Sequence, residues 1–201
     1  PDVFLMTKEE FKKQYPRDVY DNEDDPGTWE SVREMMKITF SSEKDSILEL
    51  SDATSWPTGK YMLTLKSKDA FGEEIESKNL FTLYSGEPGP TPLPALSWFS
   101  MIKGFGEPGE KASFLVGSSE KDVMVLYSVM YDDKMIKKEF IRLDKEQKLI
   151  EIPIKEEYRG NIGINLTSVL WNRSFQEEHV VDVPYTNKKL DIAFSTFRNK
   201  L

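Results

Sequence analysis

Cysteine is absent from the 201 residues of the chain, and histidine occurs once, at His179. The lack of cysteine excludes disulfides, thiol nucleophiles and thiolate-ligated zinc. A metal site or a serine–histidine–acid triad would have to use His179. Because His179 lies in a strand-like stretch, we interpret it as structural. The sequence therefore predicts no catalytic residue, no metal ligand and no cofactor, and indicates a protein that is not an enzyme.

Basic residues are outnumbered, since Lys and Arg number 27 against 35 Asp and Glu, which gives a formal net charge of −8. Nucleic-acid binding needs clustered positive charge, so the composition argues against a nucleic-acid partner. No apolar run approaches the ~18 residues of a membrane-spanning helix. The chain opens at Pro1 without a signal peptide, and we interpret it as an internal fragment of a longer protein.

Proline and glycine concentrate in residues 86–96, Gly-Glu-Pro-Gly-Pro-Thr-Pro-Leu-Pro-Ala-Leu. Proline has no amide hydrogen for a strand ladder, so this stretch is neither a central strand nor a helix interior. Strand-like alternation occurs on both sides of it. The sequence predicts a stiff linker at 86–96 between two β modules, 1–85 and 97–186, with residues 187–201 starting a further module.

The first module combines one short helix with strands. Thr7 and Glu10 match a capping box that opens a helix over residues 8–15. The acidic residues 18–28 are compatible with a calcium site or with a solvated loop, and their spacing does not match an EF-hand. Alternation predicts strands at Met36–Phe40, Ile47–Leu50, Tyr61–Lys66 and Ile75–Tyr84.

The second module contains strand patterns only. Strands at this spacing, with no helical pattern between them, predict a two-sheet sandwich of immunoglobulin-like size. The predicted fold class is therefore all-β, with two antiparallel β-sandwich modules, the first incomplete and carrying a short helix. The predicted strands are 111–117, a hairpin of 121–131 and 134–143 around Asp132–Asp133, Leu149–Ile154, and a hairpin of 161–171 and 174–183 around Asn172–Arg173.

Three further patterns have features of functional sites. Residues 103–106 contain two glycines but lack the third glycine and the helix that phosphate binding needs. The acid pairs Glu73–Glu74 and Glu156–Glu157 are interpreted as solvated turn residues rather than a glycosidase pair. Tryptophan rings either build a sugar-binding platform or fill strand ends and module joints, and we favour the second interpretation for Trp29, Trp56, Trp98 and Trp171.

Several segments, taken in order, resemble the large bacterial alpha-2-macroglobulin-like proteins. Phe11–Pro16, with Tyr20, Asp25–Pro26 and Trp29, resembles a helical insertion of those chains. The other matching segments resemble the closing hairpin of a macroglobulin module, the start of the next module and the exit from it. These segments are Thr58–Tyr61 and Lys68–Glu74 for the hairpin, Gly106–Glu110 for the start, and Leu190–Leu201 for the exit.

The resemblance implies macroglobulin-like sandwich modules that serve as scaffold in a protease-trapping protein, an endopeptidase inhibitor. In such proteins a protease cuts an exposed bait segment, and the modules rearrange to enclose it. The implied partners are neighbouring modules of the same chain and the target protease, and the implied location is the periplasm or cell envelope, with a lipid anchor through the missing N-terminus. The alternative is a surface adhesion or carbohydrate-binding sandwich module.

Overall fold

The structure is a computed structural model that describes residues 6–41 and 47–186. Within these residues the regular structure is antiparallel β-sheet, with one α-helix and 3₁₀ helices at Pro26–Thr28, Ser51–Ser55 and Glu156–Tyr158. This confirms the predicted all-β fold class. The chain divides into two compact units, Pro1–Pro57 with Tyr61–Phe81, and Thr58–Lys60 with Thr82–Leu201. The further module expected at 187–201 lies outside the described residues.

The helix of the first unit, α1, spans Lys8–Gln14. Thr7 Oγ1 accepts from the amide of Glu10 at 3.4 Å, and Glu10 Oε2 accepts from the amide of Thr7 at 2.9 Å, which confirms the capping box. The ring of Phe11 lies 5.3 Å from those of Tyr15 and Tyr20. A helix this short is unstable alone, so these ring contacts stabilise it.

The first unit also contains a two-stranded sheet of β1 (Gly59–Lys68) and β2 (Glu74–Leu83), as predicted. Gly72, at φ +86°, occupies the left-handed position of the turn between them. Phe71, at the tip, is 93% exposed, so Phe71→Ala should change the free energy of unfolding by no more than about 0.5 kcal/mol. Tyr61 stacks between Trp56 and Phe81, with ring centroids 5.4 and 5.6 Å away.

Two predicted strands of the first unit are wrong. Residues Met36–Phe40 and Ile47–Leu50 have no regular structure. Their alternation is real, but a strand forms only where a neighbouring strand receives its hydrogen bonds, and the described residues provide none here. The first unit therefore has two strands among its described residues rather than four.

Among its described residues, the second unit contains seven strands. The hairpin turns have positive φ at both central residues, 49° and 58° at Asp132–Asp133 and 54° and 57° at Trp171–Asn172, as two-residue hairpins require. Both predicted hairpins are thus confirmed, the second with its turn one residue earlier. The strands are β3 (Trp98–Lys103), β4 (Lys111–Ser118), β5 (Val123–Tyr131), β6 (Lys134–Leu143), β7 (Glu146–Pro153), β8 (Gly160–Leu170) and β9 (Arg173–Val183).

Strand β3 was not predicted from the sequence. Its first four residues, Trp98–Met101, are all half-buried, because both faces of the strand are partly covered. No polar–apolar alternation therefore marks it. Its pairing with β4, from Trp98 opposite Gly117 to Lys103 opposite Ser113, is visible only in the folded chain.

The seven strands form a sandwich of two sheets, ordered β3-β4-β7 and β6-β5-β8-β9. The inward residues of both sheets make one apolar core, as in immunoglobulin-like sandwiches. Each is less than 9% exposed. The core residues are Ala112, Phe114, Val116, Val123, Val125, Tyr127, Val129, Ile141, Leu143, Ile152, Ile154, Tyr158, Ile162, Ile164, Leu166, Val181 and Val183.

One core residue, Tyr127, carries a hydroxyl with no hydrogen-bond partner among the described residues. Burial raises the pKa of this hydroxyl, so it stays neutral. An unpaired buried polar atom is costly, and Tyr127→Phe should therefore raise the free energy of unfolding by about 1 kcal/mol. Urea denaturation tests this, and a variant less stable than the parent chain would contradict it.

Candidate functional site

The chain enters the sandwich through residues 85–96, here called the leading segment, and Gln147 at the start of β7 binds it. The side chain of Gln147 is buried, at 1% exposure. Its Nε2 donates to the carbonyls of Ser85 at 2.9 Å and Glu87 at 2.8 Å, and its Oε1 accepts from Trp98 Nε1 at 2.9 Å. Both the NH₂ group and the oxygen of the side-chain amide thus have hydrogen-bond partners, and these bonds hold the leading segment against β7 and β3.

Backbone and serine groups bind the leading segment at two further places. The amides and carbonyls of Gly89 and Gln147 exchange hydrogen bonds of 3.1 and 2.6 Å. At its other end, the amide of Ala95 donates to Ser119 Oγ at 2.9 Å. The stretch 86–96, predicted as a linker, is thus a docked part of the second unit. The prolines of residues 86–96 have no amide hydrogens to donate. The carbonyl groups of the leading segment remain available, and residues far along the chain donate hydrogen bonds to them.

Gly117 makes the approach of β7 to β4 possible at this point. It stands opposite Gln147 in the register of the two strands. A Cβ on Gly117 would lie 2.8 Å from the Cβ and 2.9 Å from the Cα of Gln147. Since the Cα belongs to the backbone, any side chain here would push β7 away and displace the Gln147 amide.

The chain leaves the sandwich through residues 184–186, here called the trailing segment, and Arg159 binds it. Arg159 is 9% exposed. Its Nε and Nη2 donate to Glu156 at 2.6 and 2.9 Å, and its Nη1 donates to Glu107 Oε2 at 3.1 Å and to the carbonyl of Pro184. A planar guanidinium suits this fork of acceptors. Arg159 therefore joins the turn before β4 and the turn before β8 to the trailing segment.

The two binding residues lie toward opposite ends of the sandwich. Gln147 pairs with Gly117 near one end of the β4–β7 ladder, and Pro153 pairs with Lys111 at the other, six residues along. At the rise of a strand this is roughly 20 Å. Arg159 follows β7 after one short helical turn. The leading segment is therefore bound by β7 itself, and the trailing segment is bound by the turn that follows β7.

Among the described residues, His179 does not form a nucleophilic triad. Its ring stacks on Phe99, with centroids 3.5 Å apart, and its Nε2 lies 3.2 Å from Glu177 Oε2. Ser97 Oγ donates to the other oxygen of Glu177 at 3.1 Å. The carboxylate thus separates the hydroxyl from the imidazole, whereas a triad needs the imidazole in contact with the hydroxyl. This arrangement ties β3 to β9.

The tryptophans of the two units occupy different kinds of position. Trp98 opens β3, and its indole donates to Gln147. The indole of Trp29 donates to the carbonyl of Glu23 at 2.9 Å. Trp171 lies in the turn between β8 and β9 and is 53% exposed. Positions at strand ends and in turns agree with a structural role for these rings rather than a sugar-binding platform. Of the three, only Trp171 has more than half of its surface exposed to solvent.

The remaining candidate motifs are used within the fold. The backbone groups of Gly104 and Gly106 in the glycine-rich stretch exchange hydrogen bonds of 2.9 and 3.1 Å with those of Asp182. These bonds hold the stretch against the edge of β9. Glu156, of the acid pair 156–157, binds Arg159 at 2.6 Å. Neither motif presents these groups to a ligand.

The acidic residues 18–28 make contacts within the first unit. Glu23 forms ion pairs with Lys8 at 2.6 Å and Lys12 at 2.5 Å, and accepts from the amide of Tyr20 at 3.1 Å. Asp25 accepts from the amide of Gly27 at 2.9 Å. In the part of the chain that the structure describes, no group of three or more His, Cys, Asp or Glu is placed to bind a metal ion. These contacts favour the loop interpretation over calcium.

Glu23 gives the first unit a defined acid response. The hydrogen bonds from Lys12 and then Lys8 lower the pKa of Glu23 from 4.5 to about 2. A lowered pKa contributes stability that is complete above pH 4.5 and is lost as the pH falls toward 2. We therefore expect the carboxyl carbon of Glu23 to titrate near pH 2 by NMR, with α1 still intact at pH 4.

The matched variants for this prediction lie side by side on α1. Lys12→Met should move the titration of Glu23 upward, toward its ordinary value, because the largest stabilising hydrogen bond is gone. Lys13→Met removes the same charge from a neighbouring exposed position and should leave it in place. Titration near pH 4.5 in the unmodified chain would contradict the described ion pairs.

Neither Gln147 nor Arg159 was singled out from the sequence. Gln147 stands between Glu146 and Lys148, where a polar residue ordinarily indicates solvent. Its partners lie 62 and 60 residues away, so no local pattern marks it. Arg159 is similar, since Glu107 lies 52 residues away.

No family model matches the chain, and no curated protein matches its sequence. Among the described residues, no helix is both long and apolar enough to cross a lipid bilayer.

Proposed function

We propose that the chain is a non-catalytic scaffold segment of an alpha-2-macroglobulin-like protease-trapping protein. In this proposal the protein works in the periplasm or cell envelope. Its partners are the neighbouring modules of the same long chain and, through the intact protein, a target protease. The role of the segment is to position those modules and to carry their displacement after a bait segment elsewhere is cut.

The observation that carries the proposal is the fixing of both ends of the second unit. Gln147 binds the leading segment and Arg159 binds the trailing segment, each with a largely buried side chain. A flexible linker would absorb movement of a neighbouring module. Segments hydrogen-bonded to the core transmit it, because packed interiors resist deformation. A sandwich that binds the chain segments at both of its ends suits a module of a protein in which many modules move together.

Two of the segments that carry the resemblance form turns in the described residues. Gly106–Glu110 forms the turn before β4, where Glu107 contacts Arg159 at 3.1 Å. The amide of Glu107 also donates to Glu110 Oε2 at 2.8 Å, which shapes that turn. Lys68–Glu74 forms the tip of the β1–β2 hairpin, where Asp69 Oδ1 accepts from two backbone amides. These residues stabilise turns, which supports a scaffold role.

Limited proteolysis of the full-length protein tests the proposal. A single cut in the exposed bait should be followed by compaction, seen as a smaller radius of gyration in small-angle X-ray scattering. Gln147→Leu should reduce that compaction, because its leading segment is released, while Gln176→Leu at an exposed position of β9 should not. Unchanged dimensions after cleavage of the parent protein would count decisively against trapping.

The exposed ring of Trp171 motivates a second candidate, a surface adhesion or carbohydrate-binding module. A glycan array separates the two functions. Saturable sugar binding that disappears in Trp171→Ala would support adhesion, since aromatic rings stack on sugar faces. An array without saturable binding leaves the scaffold proposal as the better account.

A further inference from the structure

The outer face of the four-stranded sheet, on the side away from the core, exposes five large apolar side chains. Exposed apolar surface gathered on one face of a protein is a feature of interaction sites. Each of the following residues belongs to one of the four strands and points away from the buried residues of its neighbours. They are Met124 on β5, Met135 and Phe140 on β6, Val169 on β8 and Val180 on β9, which are 46%, 54%, 63%, 69% and 55% exposed.

The register of the sheet places these side chains in rows across the strands. One row reads Lys138, Ser128, Asn165 and Glu178 from β6 to β9. A neighbouring row contains Phe140, Leu126, Thr167 and Gln176, and the row on the other side contains Met135, Met130, Gly163 and Val180. A fourth row, on the far side of the Phe140 row, contains Met124 and Val169, which follow the Val125–Ser168 pair in the register of β5 and β8.

Charge on this face is segregated by strand. Lys138 lies on its β6 edge beside Arg142, which pairs with Asp122 at 2.6 Å, and Glu178 and Asp182 lie on its β9 edge. Lys138 and Glu178 are exposed and occupy opposite ends of the same row. Neither forms an ion pair within the described residues. The face is thus positive at its β6 edge and negative at its β9 edge, and its exposed apolar side chains lie in the rows on both sides of the Lys138–Glu178 row.

We propose that this face binds the same face of a second copy of the chain across a two-fold axis. An axis parallel to the strands, midway between β5 and β8, places each β6 over the β9 of the other copy. Lys138 then faces Glu178 of the second copy, Ser128 faces Asn165, and Met124 faces Val169. The pattern is self-complementary, as a two-fold interface requires. An axis across the strands would instead oppose like charges.

The size of the face limits the strength of the association. Four strands and four rows cover roughly 400 Å² per copy at the spacings of a sheet. This is about half of the ~800 Å² per partner of a standard interface. The dimer is therefore weak, with dissociation constants on the order of 100 μM rather than nanomolar.

Sedimentation equilibrium of the chain, from roughly 10 μM to 1 mM, measures this association. Lys138→Glu and Glu178→Lys each place like charges face to face twice per dimer, so each should raise the dissociation constant at least about tenfold. The double variant restores opposite charges and should return to within about threefold of the parent chain. Lys68→Glu makes the same charge change on the β1–β2 hairpin and should have no effect.

Rescue by the double variant identifies this face and this axis, because an association through another surface would not respond to the swap. A chain that stays monomeric at the highest concentration overturns the proposal, and so does a dimer that neither single variant weakens. Circular dichroism confirms that each exposed substitution leaves the fold intact. The proposal goes beyond the scaffold function, and its failure would leave that function untouched.

Discussion

Phe114→Ala is expected to lower the free energy of unfolding of the second unit by about 3–5 kcal/mol. Phe114 on β4 is fully buried, and its ring lies 5.4 Å from that of Phe99 and 5.7 Å from that of Tyr127. Removing the ring leaves a cavity between the two sheets that the surrounding strands cannot close. Urea denaturation followed by tryptophan fluorescence measures the loss.

Phe140→Ala is the matched control for this prediction. It makes the same change in the same unit, but Phe140 is 63% exposed on the outer face of β6. Its effect should stay below about 1 kcal/mol, because little apolar area is lost from the folded state. Equal losses in the two variants would mean that Phe114 is not in the core.

Gln147→Leu is expected to lower the free energy of unfolding by about 2–3 kcal/mol. Leucine has a similar volume but cannot bind the carbonyls of Ser85 and Glu87 or the indole of Trp98. Trp98 is half-buried and would lose its hydrogen bond there, while the two carbonyls are re-solvated. The loss therefore includes both an unsatisfied donor and the release of the leading segment.

Two measurements separate these effects of Gln147→Leu. Denaturation gives the total loss, and hydrogen exchange of the Gly89 amide, which donates to the carbonyl of Gln147, reports the release of the leading segment. Gln176→Leu, exposed on β9, should change neither at low protein concentration. A Gln147→Leu chain with a full loss of stability but a protected Gly89 amide would show that the side chain does not bind the leading segment.

The parts of the fold that follow local rules could be predicted from the sequence. Thr7 and Glu10 are three residues apart, so their capping box depends on one turn of chain. The hairpin turn at Asp132–Asp133 follows from residues that tolerate positive φ between two alternating runs. In these cases every partner is near in the chain.

The predictions from sequence were wrong or incomplete where a segment's hydrogen-bonding partner lies far along the chain. The alternation at Met36–Phe40 predicted a strand, but no neighbouring strand receives it in the described residues. Strand β3 formed without alternation, because β4 pairs with it and both of its faces are partly covered. The prolines of 86–96 correctly excluded a ladder, yet the docking of that stretch depends on Gln147, far along the chain.

The same reason explains what could be predicted of the candidate site. Composition alone excluded thiolate chemistry, because no cysteine is present. The interpretation of the tryptophans as strand-end residues fits Trp98, which opens β3, but it did not identify the partner of its indole. The bonds of Arg159 to Glu107 and Pro184 require three separate turns to meet at one end of the sandwich, which no spacing in the sequence encodes.

Hydrogen exchange of the Gly89 amide tests most directly whether the leading segment is part of the sandwich. This amide donates to the carbonyl of Gln147 at 3.1 Å. If the segment is fixed, the amide should exchange only when the sandwich opens, at a rate close to that of the amides of β4. Exchange at the rate of an unstructured peptide would show a free linker and would remove the basis of the scaffold proposal.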